Sequence, residues 1–192
     1  ERVVPLEVAQ DHKCVFDGDK GPNTGGMGSY SPVKKITSEI IDEAMNEIMK
    51  PMASAMDKEG VPFTGFLYGG LMLTEKGIKT IEFNARFGDP EAEVILPRLE
   101  SDFIQAILDL MDNKPVELKW TDKVSHGVVL ASTNYPASST KGSLITGVDD
   151  VDGLVFHMGT KMTDEGLVTD GGRVLMVVTL EDDLQTAFDH TY

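Results

Sequence analysis

The stretch FTGFLYGGLMLTEKGIKTIEFNA, residues 63–85, predicts the element that decides the fold, an antiparallel β-hairpin. Two runs rich in aliphatic and aromatic residues flank the turn sequence TEKG. Gly77 ends this turn and suits the left-handed backbone that a tight hairpin requires. The chain then continues through RFGDPE, residues 86–91, a turn with acids around its proline. The sequence therefore indicates an antiparallel sheet whose second strand leads into a polar turn.

The second strand of this hairpin carries polar side chains at alternate positions. Glu82, Asn84 and Arg86 share one parity, and residues two apart on a strand point to the same face of the sheet. Mg²⁺ prefers oxygen ligands and usually takes one or two protein carboxylates together with substrate phosphates. Glu82 and Asn84 are therefore candidate metal ligands, and Arg86 is a candidate to stabilise a phosphoryl group in transfer. The alternative interpretation is the exposed polar face of an amphipathic strand.

A glycine-rich segment, GPNTGGMG at residues 21–28, is the second candidate site. Glycines allow successive backbone N–H groups to converge on an anion. The segment lacks the Lys-Ser/Thr ending of a Walker motif and does not match the dinucleotide-binding fingerprint, so a tight connection without a ligand is the alternative. Just upstream, Lys13 is a candidate contact to a phosphate or an acyl phosphate, or else an ordinary surface lysine. Arg173, after a Gly-Gly turn, is either solvated or directed into a site.

The hydrophobic pattern changes along the chain. Apolar residues recur at three- and four-residue steps over residues 37–58 and predict a helix with a kink at Pro51. Residues 17–32 are rich in Gly and Pro and predict irregular structure. Beyond residue 122 the runs are short, β-branched and punctuated by Gly. We therefore expect an α/β (α+β) fold, with residues 1–122 as a region containing the antiparallel sheet and residues 123–192 as a smaller β-rich domain.

Composition limits the classes of partner. The chain has 192 residues, with 17 Lys and Arg against 32 Asp and Glu, which gives a net charge of −15. Such a surface repels nucleic acid phosphates and anionic lipid, so we expect neither a nucleic acid nor a membrane partner. The single Cys14 fits a reducing cytoplasm. The chain opens without Met and stops within a helical pattern, so we expect a piece of a longer polypeptide.

Five segments resemble, in the same order, the phosphoribosylamine–glycine ligases, also called glycinamide ribonucleotide synthetases. They are DHKCVFDGDKGPNTGGMGSYSP (11–32), GFLYGGLM (65–72), IEFNARFGDPE (81–91), FHMGTK (156–161) and TDGGRVL (169–175). The resemblance implies an ATP-grasp enzyme of purine biosynthesis that joins glycine to 5-phosphoribosylamine. Glycine is first converted to a glycyl phosphate by ATP, which leaves as ADP, and the sugar amine then displaces phosphate.

The resemblance also assigns roles to residues. Glu82 and Asn84 match the ligands of Mg²⁺ or Mn²⁺, and Arg86 matches the arginine beside the transferred phosphate. Lys13 remains the candidate contact to the ATP cofactor. The implied substrate-binding residues are those of the glycine-rich segment and of the polar turn, namely Asn23, Thr24, Gly25, Gly26, Met27, Gly28, Asp89 and Glu91.

This chain departs from the family pattern at its amino-terminal end. Family members carry an amino-terminal domain, a mobile lid and an acidic hinge that grips adenine and ribose before the matching point. We therefore expect this chain to hold only part of the nucleotide pocket and to be inactive alone. The alternatives are another ATP-grasp carboxylate–amine ligase and a non-catalytic ligand-binding module.

Overall fold

The computed structural model describes residues 3–192, which form a mixed α/β fold with antiparallel sheets, as the sequence predicts. The chain divides into two compact units, and each is assembled from several segments. The hairpin unit comprises Val33–Gly88 and Ser101–Leu118, together with residues 3–6. The sheet unit comprises Glu7–Pro32, Asp89–Glu100 and Lys119–Tyr192. The division predicted between residues 122 and 123 stays a prediction about domains, because the compact units have other bounds.

The strands of the described residues are, in chain order, β1 (Gln10–Asp11), β2 (Cys14–Phe16), β3 (Lys20–Asn23), β4 (Gly28–Ser31), β5 (Tyr68–Thr74), β6 (Gly77–Asn84), β7 (Val124–Ala131), β8 (Leu154–His157), β9 (Thr160–Thr163), β10 (Gly166–Thr169) and β11 (Arg173–Glu181). The α-helices are α1 (Ser38–Ala44), α2 (Lys50–Lys58), α3 (Ala92–Ile95), α4 (Phe103–Met111) and α5 (Leu184–Thr191). A π-helical turn lies at Met45–Met49, and 3-10 helical turns lie at Leu96–Arg98 and Val148–Asp150. In this part of the chain no helix has the length and apolar character needed to cross a membrane.

The helix predicted over residues 37–58 is confirmed. It runs as α1, a π-helical turn at Met45–Met49, and α2 without a break. Pro51 has no N–H to donate to the carbonyl one turn earlier, so a regular α-helical ladder cannot continue through it. A π-helical turn is a common way to absorb such an interruption. The irregularity predicted at Pro51 therefore takes the form of a wider turn immediately before it.

The predicted hairpin is also confirmed. Strands β5 and β6 pair antiparallel, and Gly77 at the turn has a φ of +86°. The register shifts next to the pair Gly70–Glu82 and leaves Ile81 as an extra residue, which is a β-bulge. Ile81 is consequently 65% exposed and does not belong to a buried face. The bulge separates the turn end of the hairpin from the end that carries Glu82.

The sheet unit is built on five antiparallel strands in the order β1-β4-β7-β11-β8. Its core consists of Val94 from α3, Val129 from β7, and Met176 and Val178 from β11. Helix α5 packs against β7 and β11 through the buried Ala187. The segment RVVPLEVA (2–9) predicts a short strand, with Pro5 indicating an edge position or a bulge. Residues 3–9 form no strand in the structure, and Arg2 lies outside the described residues.

The prediction of irregular structure over residues 17–32 is wrong. This segment contains β3 and also β4, which lies between β1 and β7 in the sheet. Small residues are required there because β4 approaches β7 closely. A Cβ on Gly28 would lie 2.6 Å from the Gly127 carbonyl oxygen, and Ser29 and Ser31 are fully buried. The residues that interrupt a hydrophobic pattern thus serve close strand packing.

A buried arginine joins all three segments of the sheet unit. The Arg98 guanidinium donates to the carbonyls of Lys123 at 2.8 Å and Thr121 at 3.1 Å. It also donates to Ser31 Oγ at 2.8 Å and forms an ion pair with Glu7 at 3.2 Å. Because the acceptors come from the first and third segments of the sheet unit while Arg98 lies in the second, this one side chain helps to hold the three segments together.

Candidate functional site

The two predicted metal ligands, Glu82 and Asn84, lie on one face of the hairpin. The register pairs Asn84 with Tyr68 and Glu82 with Gly70, so all four residues share a face. A Cβ on Gly70 would lie 3.1 Å from Glu82 Cγ, which means that the missing side chain leaves room for the glutamate. Glu82 is exposed and Asn84 is half-buried. This face therefore presents a carboxylate and an amide side by side.

The other face of the same hairpin is the packed one. A Cβ on Gly69 would lie 2.7 Å from the sulfur of Met49, which belongs to the π-helical turn. The methionine-rich stripe of the long helix thus serves packing of the hairpin unit. Since the two faces alternate along β5, the face with Glu82 is the one turned away from this helix.

The donor chemistry of Glu82 and Asn84 fits a hard divalent cation, which takes carboxylate and amide oxygens. The side-chain nitrogen of Asn84 is buried and has no hydrogen-bond partner. That amide is therefore not held by its nitrogen. Among the described residues, no group of three or more His, Cys, Asp or Glu side chains could hold a metal ion.

Arg86 does not continue the strand alternation. Strand β6 ends at Asn84, and Arg86 lies in the following bend with its side chain exposed. Its guanidinium donates to the neighbouring Phe87 carbonyl at 2.6 Å. The structure thus places Arg86 in the same unit as Glu82 and Asn84 but beyond the strand that orients them.

The glycine-rich segment of the sheet unit does not form the predicted cradle of free N–H groups. Each N–H of residues 24–27 already donates to an acceptor of the protein. The pairs are Thr24 to the Lys13 carbonyl (2.8 Å), Gly25 to Tyr135 Oη (3.1 Å), Gly26 to Thr24 Oγ1 (2.9 Å) and Met27 to the His12 carbonyl (2.8 Å). Of the two interpretations of this segment, the hydrogen bonds favour the tight connection over N–H groups that converge on an anion, and its role in substrate binding stays a prediction.

Gly26 shows why this segment needs glycine. Its φ is +125°, a conformation that residues with side chains rarely adopt. A Cβ at this position would also collide with the Pro90 ring and lie 2.7 Å from Asp11 Oδ1. The segment is thereby packed directly against Pro90 in the polar turn of the sheet unit.

Charged side chains surround this contact. One guanidinium nitrogen of Arg173 donates to the Asp89 carbonyl at 3.0 Å and to the Gly25 carbonyl at 3.3 Å, and it lies 2.9 Å from the Asp89 carboxylate. Lys13 forms an ion pair with the buried carboxylate of Asp11, and its ammonium lies 3.5 Å from the Gly25 carbonyl. Of the two alternatives for Arg173, the structure shows the one in which it is directed into a site.

Four carboxyl groups, Asp11, Asp89, Glu91 and Glu93, form with these two cations what we call the carboxylate cluster. Burial raises the pKa of Asp11, and the charge of Glu91 raises it further while Lys13 lowers it. Burial also raises the pKa of Glu93, with a further upward contribution from the charge of Asp89. These mutual effects show that the acids are close enough to repel one another when ionised.

The structure thus brings together the predicted substrate-binding residues of the sheet unit, namely residues 23–28, Asp89 and Glu91, and places Lys13 beside them. Sequence reasoning did not select Tyr135, Asp11 or Glu93 as site residues. The alternation of acids in DPEAE (89–93) was a usable signal for Glu93. Tyr135 lies in a loop without a pattern, so only its contact with Gly25 reveals it.

Two family models match the chain. The one described as phosphoribosylglycinamide synthetase, ATP-grasp (A) domain, matches residues 1–92, and the one described as phosphoribosylglycinamide synthetase, C domain, matches residues 125–192. The chain belongs to the phosphoribosylglycinamide synthetase family. The family resemblance seen in the sequence motifs and the ATP-grasp assignment of the fold are thereby confirmed.

Curated relatives of this synthetase family are similar along nearly the whole chain. A phosphoribosylamine–glycine ligase from Halalkalibacterium halodurans is 52% identical over 189 residues, which cover 97% of this chain and 44% of the relative. One from Lactococcus lactis is 47% identical over 188 residues, with 96% and 45% covered. The crystal structure of a phosphoribosylamine–glycine ligase from Thermotoga maritima matches with a TM-score of 0.84 and 37% identity, and 97% and 47% of the two chains are covered. The chain spans less than half the length of these relatives.

Proposed function

We propose that this chain contributes to an ATP-dependent ligase that joins glycine to 5-phosphoribosylamine and yields glycinamide ribonucleotide, ADP and phosphate. The reaction would proceed through a glycyl phosphate and belong to purine biosynthesis in the cytoplasm. The observation that carries the proposal is the sheet-unit site, where Arg173 ties the glycine-rich segment to the turn at Asp89. Family membership supports it, because both matched domains are those of phosphoribosylglycinamide synthetase.

In the sheet unit, residues 23–28, Asp89 and Glu91 are the proposed substrate-binding residues. The carboxylate cluster has more acids than cations, so it attracts a positively charged or hydrogen-bond-donating amine. The two substrates that are joined in the proposed reaction, glycine and 5-phosphoribosylamine, each carry an amine. Lys13 is the proposed contact to a phosphate of the nucleotide or of the glycyl phosphate, in which case its ammonium would be shared with Asp11.

In the hairpin unit, Glu82 and Asn84 are the residues that would hold Mg²⁺ or Mn²⁺. A divalent cation bound there would supply charge neutralisation for nucleotide phosphates. The exposed guanidinium of Arg86 donates to the neighbouring Phe87 carbonyl and can turn toward a phosphoryl group. The roles derived for these residues are positioning and charge stabilisation rather than covalent catalysis.

The test uses the protein encoded by the complete reading frame that contains this chain. ADP release is measured with glycine and freshly generated 5-phosphoribosylamine together, and with each omitted in turn. The expected result is release that requires both substrates. Release that needs a different amine or carboxylate would overturn the proposal in favour of another ligase, and nucleotide binding without any turnover would overturn it in favour of a binding module.

A further inference from the structure

One residue of the glycine-rich segment, Gly25, is hydrogen-bonded through both its N–H and its carbonyl. The Gly25 N–H donates to Tyr135 Oη at 3.1 Å, and the Gly25 carbonyl accepts from Arg173 at 3.3 Å and from Lys13 at 3.5 Å. The three side chains come from three separate parts of the sheet unit: the connection before β2, the loop after β7, and the start of β11. Gly25 is therefore the point at which the segment is fixed to its surroundings.

A β-bulge brings Arg173 to this position. Arg173 pairs with Ala131 and Leu175 pairs with Leu130, so Val174 is an extra residue on β11. Bulges bend a strand locally and redirect the neighbouring side chains. Val174 is buried, and the Arg173 side chain is only 20% exposed even though it lies at the end of its strand. The bulge thus accompanies an arginine directed inward.

The absence of a side chain at Gly25 is required by the guanidinium. A Cβ on Gly25 would lie 3.0 Å from Arg173 Cζ and 3.1 Å from its Nε. The guanidinium cannot easily withdraw, because it is also held by the carbonyl and the carboxylate of Asp89. Arg173 therefore links Gly25 to Asp89, two residues that are 64 positions apart in the sequence.

We propose that Arg173 is a positioning residue for phosphoribosylamine binding: it holds the glycine-rich segment at a fixed distance from Asp89, so that both can contact the same substrate. This inference rests on the proposed function for the identity of the substrate. Arg173 acts through Gly25 and Asp89, because the nitrogen that reaches the site is engaged by these two residues.

The first experiment is independent of catalysis and uses the 192-residue chain. Hydrogen exchange is measured in the wild type and in Arg173→Met. We expect the amides of residues 24–27 to exchange about 10-fold faster in the variant, since an opening free energy lower by about 1.4 kcal/mol gives this factor. The control is Lys141→Met, which breaks the exposed ion pair with Asp170 in the same unit and should leave these amides unchanged. Unchanged exchange in Arg173→Met, or an increase spread equally over β4, β7 and β11, would overturn the positioning role.

The second experiment uses the close contact at Gly25. Gly25→Ala is introduced into the wild type and into Arg173→Met, and exchange of residues 26 and 27 is compared. The added methyl should accelerate exchange about 10-fold in the wild type and less than about 2-fold in Arg173→Met, because the clashing guanidinium is then gone. Independent, multiplicative effects of the two substitutions would show that Arg173 does not constrain Gly25.

Kinetics of the protein from the complete reading frame then test the substrate. Arg173→Met should raise KM for phosphoribosylamine about 10-fold and change KM for ATP less than about 2-fold, while Arg173→Lys should recover part of the loss because it keeps the charge but not the planar fork. Equal increases in both KM values, or a loss of kcat alone, would overturn the assignment. If the wild type releases no ADP with these substrates, the proposed function fails, whereas the exchange experiments still decide whether Arg173 fixes the segment.

Discussion

Replacement of the buried Arg98 by methionine tests how the sheet unit is held together. Methionine has a similar length but lacks the guanidinium, and the Arg98 side chain that it replaces is only 4% exposed. The variant loses donors to two carbonyls and to Ser31 Oγ, and it leaves Glu7 without its ion-pair partner. These acceptors lie in two of the three segments that form the sheet unit, so their loss weakens the contacts between the segments.

The magnitude follows from burial. Hydrogen bonds made by a charged donor are worth about 1.5–3 kcal/mol each, but a simple sum is an upper limit, because methionine packs its own apolar surface and Glu7 is still 30% exposed to water. Removing one partner of a buried pair typically costs about 3–5 kcal/mol. We therefore expect Arg98→Met to lower the free energy of unfolding of the sheet unit by about 3–5 kcal/mol, which is a large part of an ordinary domain's stability.

The sole tryptophan provides the assay. Trp120 is half-buried, belongs to the sheet unit, and pairs with Leu99 immediately after Arg98. Its fluorescence during urea unfolding therefore reports on this unit and not on the hairpin unit. Lys141→Met is the matched control, since its ion pair is exposed and should contribute at most about 1 kcal/mol. A loss below about 1 kcal/mol in Arg98→Met, equal to that of the control, would refute the reasoning.

Three further predictions follow from the structure. Burial lowers the pKa of His126 to about 4 from 6.5, so its neutral ring stabilises the fold above pH 6.5 and this contribution is lost as the pH falls toward 4. After solvent screening at this partly exposed ring the difference should be about 1–2 kcal/mol. Urea unfolding at several pH values should therefore show a weaker pH dependence for His126→Gln than for the wild type. In the protein from the complete reading frame, Glu82→Gln and Asn84→Ala should both lower kcat and be partly rescued by raised Mg²⁺, whereas Arg86→Lys should show little rescue; wild-type kinetics in the first two would exclude the metal assignment. The 192-residue chain alone should release ADP at least about 1,000-fold more slowly than the protein from the complete reading frame, because positioning can supply about 7–11 kcal/mol of a barrier; comparable rates would contradict this.

Local patterns in the sequence were sufficient for some elements. The long helix and the hairpin were predictable because each depends on residues close in sequence. The position of the hairpin turn was predictable from Gly77, which has the positive φ that the turn requires. Strand β4 was not, because Gly28, Ser29 and Ser31 are turn-forming or polar residues used here for close packing. Strand β4 pairs with β1 and β7 as part of the tertiary structure, and the local pattern of apolar residues does not predict this pairing.

The candidate site likewise contains parts that local motifs predict and contacts that only the tertiary structure shows. The glycine-rich segment and the polar turn could be selected from motifs, since unusual residues are concentrated in each. Their contact through Arg173 could not, because it depends on a bulge at Val174 and on the space left by Gly25. The sequence also could not show that the Gly25 N–H is engaged, since its acceptor, Tyr135 Oη, lies 110 positions away.

The discontinuous sheet unit has a consequence for synthesis on the ribosome. Strand β4 ends at Ser31 and its neighbour β7 begins at Val124, so the two cannot pair until the entire segment between them has been translated. At about 5–20 residues per second this delay is about 5–20 s. The hairpin of the intervening segment needs only local contacts and can form first. Strand β4 can already pair with β1, which precedes it, but its other edge stays unpaired until β7 is made. The nascent chain therefore exposes an unpaired strand edge for seconds, and mispairing with another strand is most easily made at this stage.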